Sequence, residues 1–164
     1  MLSHLSWLRS LLITIAIGLM MATVSPAAYA ADPYITRILQ IREPISLALD
    51  HSGNTRLFSP DDLATGKQLF AQNCIICHVG GVTLPNPTAA LTLSALQAAT
   101  PPHDTIASLV AYMRQPLSYD GTEESYLCRK VAESWLSQTA TENLAGFILV
   151  AAQKAPTWGK DRFQ

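Results

Sequence analysis

Apolar and polar positions follow two different periods along this chain, and the change of period separates its elements. Ile45-Ser-Leu-Ala-Leu49 alternates apolar with small or polar residues, and Asp50-His-Ser-Gly53-Asn is rich in turn formers before Thr55-Arg-Leu-Phe58. This pattern predicts a short β-hairpin. Ser59 then precedes Pro60, Asp61 and Asp62, an N-cap with proline at the first helical position and acids at the positive end of the helix dipole. A helix is therefore expected to start near Pro60. Leu63, Gly66, Leu69 and Phe70 recur at spacings of three and four, on one stripe of a helix running to Asn73. Gly66 costs that helix stability, so either a close crossing with another helix accounts for it or it is a tolerated glycine.

Gly80, Gly81, Pro85 and Pro87 then impose an irregular stretch. A short helix is predicted from about Ala89 to Ala98, ending before Pro101-Pro102, and another from about Asp104 to Arg114, ending before Pro116. Ile106, Leu109, Val110 and Met113 supply the apolar stripe of the second. Tyr119-Asp120-Gly121 reads as a turn and residues 123–137 as partly helical. Thr141 can cap a last helix through Gln153, whose stripe of Leu144, Phe147, Ile148 and Ala151 is the natural partner of the Gly66 and Phe70 face.

Composition changes this picture mainly at the N-terminus. Arg9, the apolar run Leu11 to Met21 and the ending Ala28-Tyr29-Ala30 have the layout of a secretory signal with an A-x-A cleavage site. The alternative, an uncut anchor, is disfavoured because the run is shorter than the ~20 residues that span a bilayer. Removing residues 1–30 from the 164 leaves 134, a single domain (31–164) led by an arm and hairpin over 31–58. Loss of Arg9 takes the formal charge from −1 to −2, and no basic cluster is present, which argues against nucleic acid as a partner. The 3 cysteines, two of them three positions apart, do not make a disulfide framework, even for an exported chain.

Cys74-Ile-Ile-Cys77-His78 carries the chemistry. C-x-x-C-H is the attachment signature of c-type haem: one helical turn presents two thiols to the vinyl groups of the ring, and the adjoining imidazole ligates iron. A zinc site wants a second closely spaced ligand pair and a thioredoxin-like site wants a βαβ context, and neither is apparent. Cys74 and Cys77 are thus the expected attachment points of one covalently bound haem c, and His78 its proximal iron ligand. The residues leave the sixth ligand open among His103, Met113 and Cys128. Met113 lies on an apolar stripe, where methionine usually packs, and His103 follows two prolines in an expected solvated loop. Cys128 reads as a buried structural thiol, or as a thiolate ligand favoured by the adjacent Arg129 and Lys130.

From about Glu43 to the C-terminus the chain resembles the cytochrome c-550 family, the low-potential extrinsic cytochromes of cyanobacterial photosystem II, and most of all its c-550-like paralogues. The resemblance rests on Gly66-Lys67-Gln-Leu69-Phe70, Cys77-His78-Val79-Gly80-Gly81, Asn86-Pro87, Ala99-Thr100-Pro101-Pro102-His103-Asp104 with Leu109-Val110-Ala-Tyr112-Met113, Tyr119-Asp120-Gly121 and Ile148-Leu149-Val150. It implies an all-α, class I cytochrome c fold with a small N-terminal β-hairpin, in the thylakoid lumen and peripheral to the membrane on the photosystem II face. It also implies that Cys74, Cys77 and His78 serve haem attachment and proximal ligation. Family members place a histidine a short way after the Tyr-Asp-Gly turn. Here that region is shorter and reads Thr122-Glu-Glu-Ser-Tyr126-Leu127-Cys128, with no histidine after His103. By position Cys128 becomes the expected distal ligand of the iron.

Three functions follow as expectations. The first is electron transport at low potential, because a haem with two protein ligands has no open position for substrate. The second is a structural subunit of photosystem II with a redox-passive haem. The third is a haem-based redox or gas sensor, if the Cys128 bond breaks on reduction. No constellation for enzymatic catalysis is apparent. The tail Trp158-Gly159-Lys160-Asp-Arg162-Phe163 is either a docking tail or a strap across the last helix.

Overall fold

The computed structural model describes residues 31–84 and 89–160, so the signal reading of residues 1–30 and the Asn86-Pro87 motif lie outside the described residues. The described chain is mostly helical with one two-stranded antiparallel sheet. No described helix is long and apolar enough to cross a membrane.

The predicted hairpin forms as β1 (Ile45–Ala48) and β2 (Thr55–Phe58), with Ile45 opposite Phe58 and Ala48 opposite Thr55. Its turn is shaped by Asp50, whose carboxylate accepts from the Ser52 backbone (2.8 Å) and the Asn54 amide (2.8 Å), and by Gly53 at φ +91°. Leu47 and Phe58 are buried, whereas Ser46 and Leu57 face outward, the alternation of a half-buried strand pair. Ahead of the hairpin, a single wide helical turn over Tyr34–Ile38 sends Ile35, Leu39 and Ile41 into the core. The arm is therefore part of the packed domain.

Helix α1 (Pro60–Asn73) starts where Ser59 and Pro60 predict. The Ser59 hydroxyl accepts from the Asp62 backbone N–H, and the Asp62 carboxylate accepts from the Ser59 backbone N–H, a complete capping box. After it come α2 (Leu93–Ala98), α3 (Ile106–Arg114) and α4 (Gln138–Lys154). Helix α2 is four residues shorter at its start than expected, because the Thr92 side chain caps it by accepting from Ala95 N. Helix α3 starts two residues later than expected, at a Thr105/Ser108 box. The last helix starts earlier, capped by Ser137, which leaves Thr141 fully buried inside it with its hydroxyl donating to the Ser137 carbonyl. No helix forms over residues 123–137, where the chain makes an isolated bridge between Leu117 and Glu124 and then a turn.

Helices α1 and α4 cross at Gly66. A methyl there would run into the carbonyl oxygen of Asn143 and sit 2.9 Å from Phe147 Cβ, so the close-crossing reading of Gly66 holds. Leu63, Phe70, Leu144, Phe147 and Ile148 fill the contact, and Trp158 closes it edge-on to Phe147 with ring centroids 5.8 Å apart. Asp32 and Lys67 (2.6 Å) and the Arg56 and Glu142 pair tie the arm and the hairpin to these helices.

Candidate cofactor site

Helix α1 ends at Cys74, whose backbone N–H donates to the Phe70 carbonyl (2.9 Å). The chain then makes one more turn, with Cys77 and His78 both donating backbone N–H groups to the Cys74 carbonyl at 3.1 and 2.9 Å. This turn brings Cys74, Cys77 and His78 to the mouth of an apolar cavity of about 500 Å³, within the range of cofactor sites. Its walls come from α1, α2, α3, the loop ahead of α4 and α4 itself, with Phe70, Leu96, Leu109, Met113 and Leu144 among them. Cys74 is half-buried and Cys77 is exposed.

The loop beyond His78 is held rigidly. Glycines 80 and 81 adopt φ of +57° and +85°, and a side chain at Gly81 would meet the Trp158 ring. Gly159 N donates to Gly80 O (2.7 Å), Leu91 N to Gly81 O (2.7 Å), and the Trp158 indole to Leu91 O (2.7 Å). As far as Gly159 the tail is thus tied to the loop beyond His78 and, through the Trp158 ring, to α4; residues 161–164, with the rest of the tail, lie outside the described residues.

His78 Nδ1 lies 3.1 Å from Thr83 Oγ1, and the Thr83 hydroxyl gives its only proton to the Ala89 carbonyl (2.6 Å). Thr83 must accept here, so Nδ1 carries the imidazole proton and Nε2 keeps its lone pair free. Burial lowers the pKa of His78, which also favours the neutral ring.

Cys128 lies on the wall of the same cavity, half-buried, with its backbone N–H donating to Ser125 Oγ (3.2 Å). Burial raises its thiol above the usual value, the nearby Tyr112 hydroxyl partly opposes that, and the Cys77 sulfur raises it further. Cys74 is pushed up to about 11, by burial first and then by Cys128 and Cys77. The support expected from Arg129 is absent, because its guanidinium stacks over the Trp135 ring at 4.1 Å.

The structure also corrects the environment of His103. It is 6% exposed, with its ring 4.2 Å from that of Tyr112, and it lines the cavity instead of standing in solvent. Its backbone N–H donates to the Leu96 carbonyl (2.8 Å), which draws the residue inward. Met113 is buried on the α3 stripe and lines the cavity too. Sequence reasoning gave no role to Tyr112 or Thr83. The spacing of Tyr112 from Leu109 carries the signal for the former, while nothing local marks Thr83.

A mostly helical domain that turns a C-x-x-C-H motif and a further thiol onto one apolar cavity is built as a c-type cytochrome is built. The chain belongs to the cytochrome c-550 family: residues 38–164 match the model of the cytochrome c-550 domain. It is 48% identical over 160 residues to a cytochrome c-550-like protein of Thermosynechococcus vestitus, covering 97% of this chain and 91% of that one. It is 47% identical over 165 residues to photosystem II extrinsic protein V of Gloeobacter violaceus, covering 97% and 89%. Among solved structures it is similar to the PsbV2 cytochrome of Thermosynechococcus elongatus, with a TM-score of 0.78, 52% identity and coverage of 79% of this chain and 99% of that one. It is also similar to cytochrome c549, with a TM-score of 0.61, 32% identity and coverage of 66% and 90%.

The family's cofactor is one covalently bound haem c with its iron. The residues present fit it: an apolar enclosure, two thiols on one turn, an imidazole with a free Nε2, and a second sulfur on the cavity wall.

Proposed function

We propose that this chain is a low-potential electron carrier of the thylakoid lumen, built on a class I cytochrome c fold and associated with photosystem II. Cys74 and Cys77 anchor the haem as thioethers, His78 is the proximal iron ligand, Cys128 is the distal ligand, and residues 1–30 are a signal removed on export. The observation that carries this reading is the convergence of Cys128 with the motif on one cavity. The photosystem II association is drawn from relatives named photosystem II extrinsic protein V, and the lumenal side from the signal-like N-terminus.

The bound haem supplies a one-electron ferric/ferrous couple. Around it, Thr83 orients the His78 ring and keeps Nε2 as the donor atom. A Cys128 thiolate adds negative charge at the iron, which stabilises the ferric state and lowers the potential. The apolar wall of Leu96, Leu109, Met113 and Leu144 excludes water. Cys77 and the 85% exposed Ile76 leave the anchored edge at the surface, where an electron can leave or enter. Two protein ligands leave no open position for a substrate, which favours transfer over catalysis.

Low-temperature electron paramagnetic resonance of the oxidised holoprotein, run beside Cys128→Ser, tests the ligand set. The expected result is a low-spin signal with the narrow g-spread of a thiolate ligand, lost in the variant. A signal indifferent to the substitution overturns Cys128 as ligand.

A further inference from the structure

We propose that His103 holds the haem by its carboxylate edge, donating a ring N–H to a propionate inside the cavity; this inference rests on haem attachment at Cys74 and Cys77 and is independent of the distal ligand.

His103 follows Pro101-Pro102 on the connection between α2 and α3, and its backbone N–H, donating to Leu96 O (2.8 Å), sets the residue into the cavity wall. The ring is 6% exposed and packs against the Tyr112 ring at 4.2 Å with 40° between planes. Of the polar side chains on that wall, His103 alone is buried this deeply, and its ring nitrogens have no hydrogen-bond partner among the described residues. A buried donor that has left water without a replacement is costly. A partner on the cofactor removes that cost.

The chemistry of the cofactor says which group this is. A c-type haem is anchored through its vinyl edge and carries two propionates on the opposite edge. Cys74 and Cys77 take the first edge, so the carboxylates need partners from another segment of the chain. Thr83, Ser118 and Tyr119 line the cavity but give their hydroxyl protons to Ala89 O (2.6 Å), Asp120 Oδ1 (2.6 Å) and Ala95 O (2.8 Å). Arg129, a full cation on the wall, stacks its guanidinium over Trp135. The His103 ring is left to donate. Burial lowers its pKa and the Asp104 carboxylate opposes this, while Asp104 is itself paired to His51 Nε2 at 2.8 Å. A neutral ring still carries one N–H, and its bond to a carboxylate is charge-assisted, stronger than one between neutral groups. That bond withdraws part of the propionate charge, and less negative charge near the iron favours the ferrous state.

A crystal structure of the holoprotein tests this directly. The expected result is a His103 ring nitrogen within about 3.2 Å of a propionate oxygen. A ring nitrogen on the iron, or a ring turned to protein or water alone, overturns the proposal. In solution, His103→Phe keeps a ring against Tyr112 and removes both nitrogens, whereas His103→Gln keeps a donor. The ferrous-to-ferric ratio at a fixed solution potential should fall about fivefold in His103→Phe, and the propionate bending band in resonance Raman spectra should shift. His103→Gln should return both toward native values. An unmoved band and potential in His103→Phe overturn the assignment, and so does a His103→Gln protein no closer to native than His103→Phe. The holoprotein structure needs no variant, so it decides the matter even if neither variant matures. Failure of the attachment reading looks different: acidified acetone then extracts the haem from the native chain, which overturns this inference as well.

Discussion

The crossing of α1 and α4 is held by apolar burial between regular elements, whereas the stretch from Gln115 to Leu136, which carries Cys128, contains no helix and is tied by individual hydrogen bonds to α2, to α3 and within itself, with Val131 and Leu136 buried. At the crossing, Leu63, Phe70, Leu144, Phe147 and Ile148 bury against one another, so many contacts share the load. In the loop each tie stands alone: Ser125 N to Pro116 O, Val131 N to Met113 O, and Arg114 Nη1 to the carbonyls of Val131 (2.8 Å) and Leu136 (3.0 Å). The first arrangement leaves little room for change. The second can be rebuilt without disturbing the helices, and it carries Cys128.

The sharpest test of this contrast is Gly66→Ala. The added methyl meets backbone at Asn143, which cannot step aside, so a loss of about 3 kcal/mol is expected in denaturant unfolding of the holoprotein. A loss under about 1 kcal/mol would mean that the crossing slides, and the comparison would fail.

Next in size is Arg114→Leu. Its Nη1 bonds join the loop to α3, while Nε and Nη2 are buried without a partner among the described residues. Removing it should cost about 2 kcal/mol. Amide exchange should quicken at Val131 and Leu136 and stay slow at Leu144 and Phe147. Equal acceleration at both places would show that loop and crossing are one unit.

The capping box gives a smaller effect with a defined pH dependence. Partial burial raises the Asp62 carboxyl, but the Ser59 hydroxyl and backbone and the Asn143 amide outweigh this and hold it below its ordinary 3.8. Its folded value lies under its unfolded one, so its contribution is fully present above 3.8 and is lost as pH falls through the lower folded value. Asp62→Asn should cost about 1 kcal/mol at neutral pH and flatten the acid limb of the stability curve. An unchanged limb assigns acid sensitivity to other groups.

The smallest expected effect is Thr83→Val. The loss in stability should be about 1 kcal/mol or less, yet the orientation of His78 is released. A broadened resonance signal at nearly native stability is the expected outcome. A signal as sharp as the native one would mean that cavity packing alone orients the ring.

Much of the architecture was legible in the chain. Ser59-Pro60-Asp61-Asp62 marks a helix start because capping is satisfied within four consecutive residues, and the hairpin follows from an alternation closed by Asp50 and Gly53. C-x-x-C-H is equally local, since attachment and proximal ligation need only one turn of chain. Residues 123–137 misled because isolated helical spacing there is overruled by bonds to distant partners, Pro116 and Met113. His103 misled for the same reason: the residues around it read as an exposed loop, and only Leu96 and Tyr112 draw it inside.

By itself, then, the sequence determined the start of α1, the hairpin and the C-x-x-C-H turn, whose energetics close over a few neighbouring residues. Tertiary structure decided why Gly66 is glycine, which nitrogen of His78 carries its proton, and that Cys128 shares a cavity with the C-x-x-C-H turn. Each of these depends on groups brought together from separate elements, and no local pattern encodes that distance.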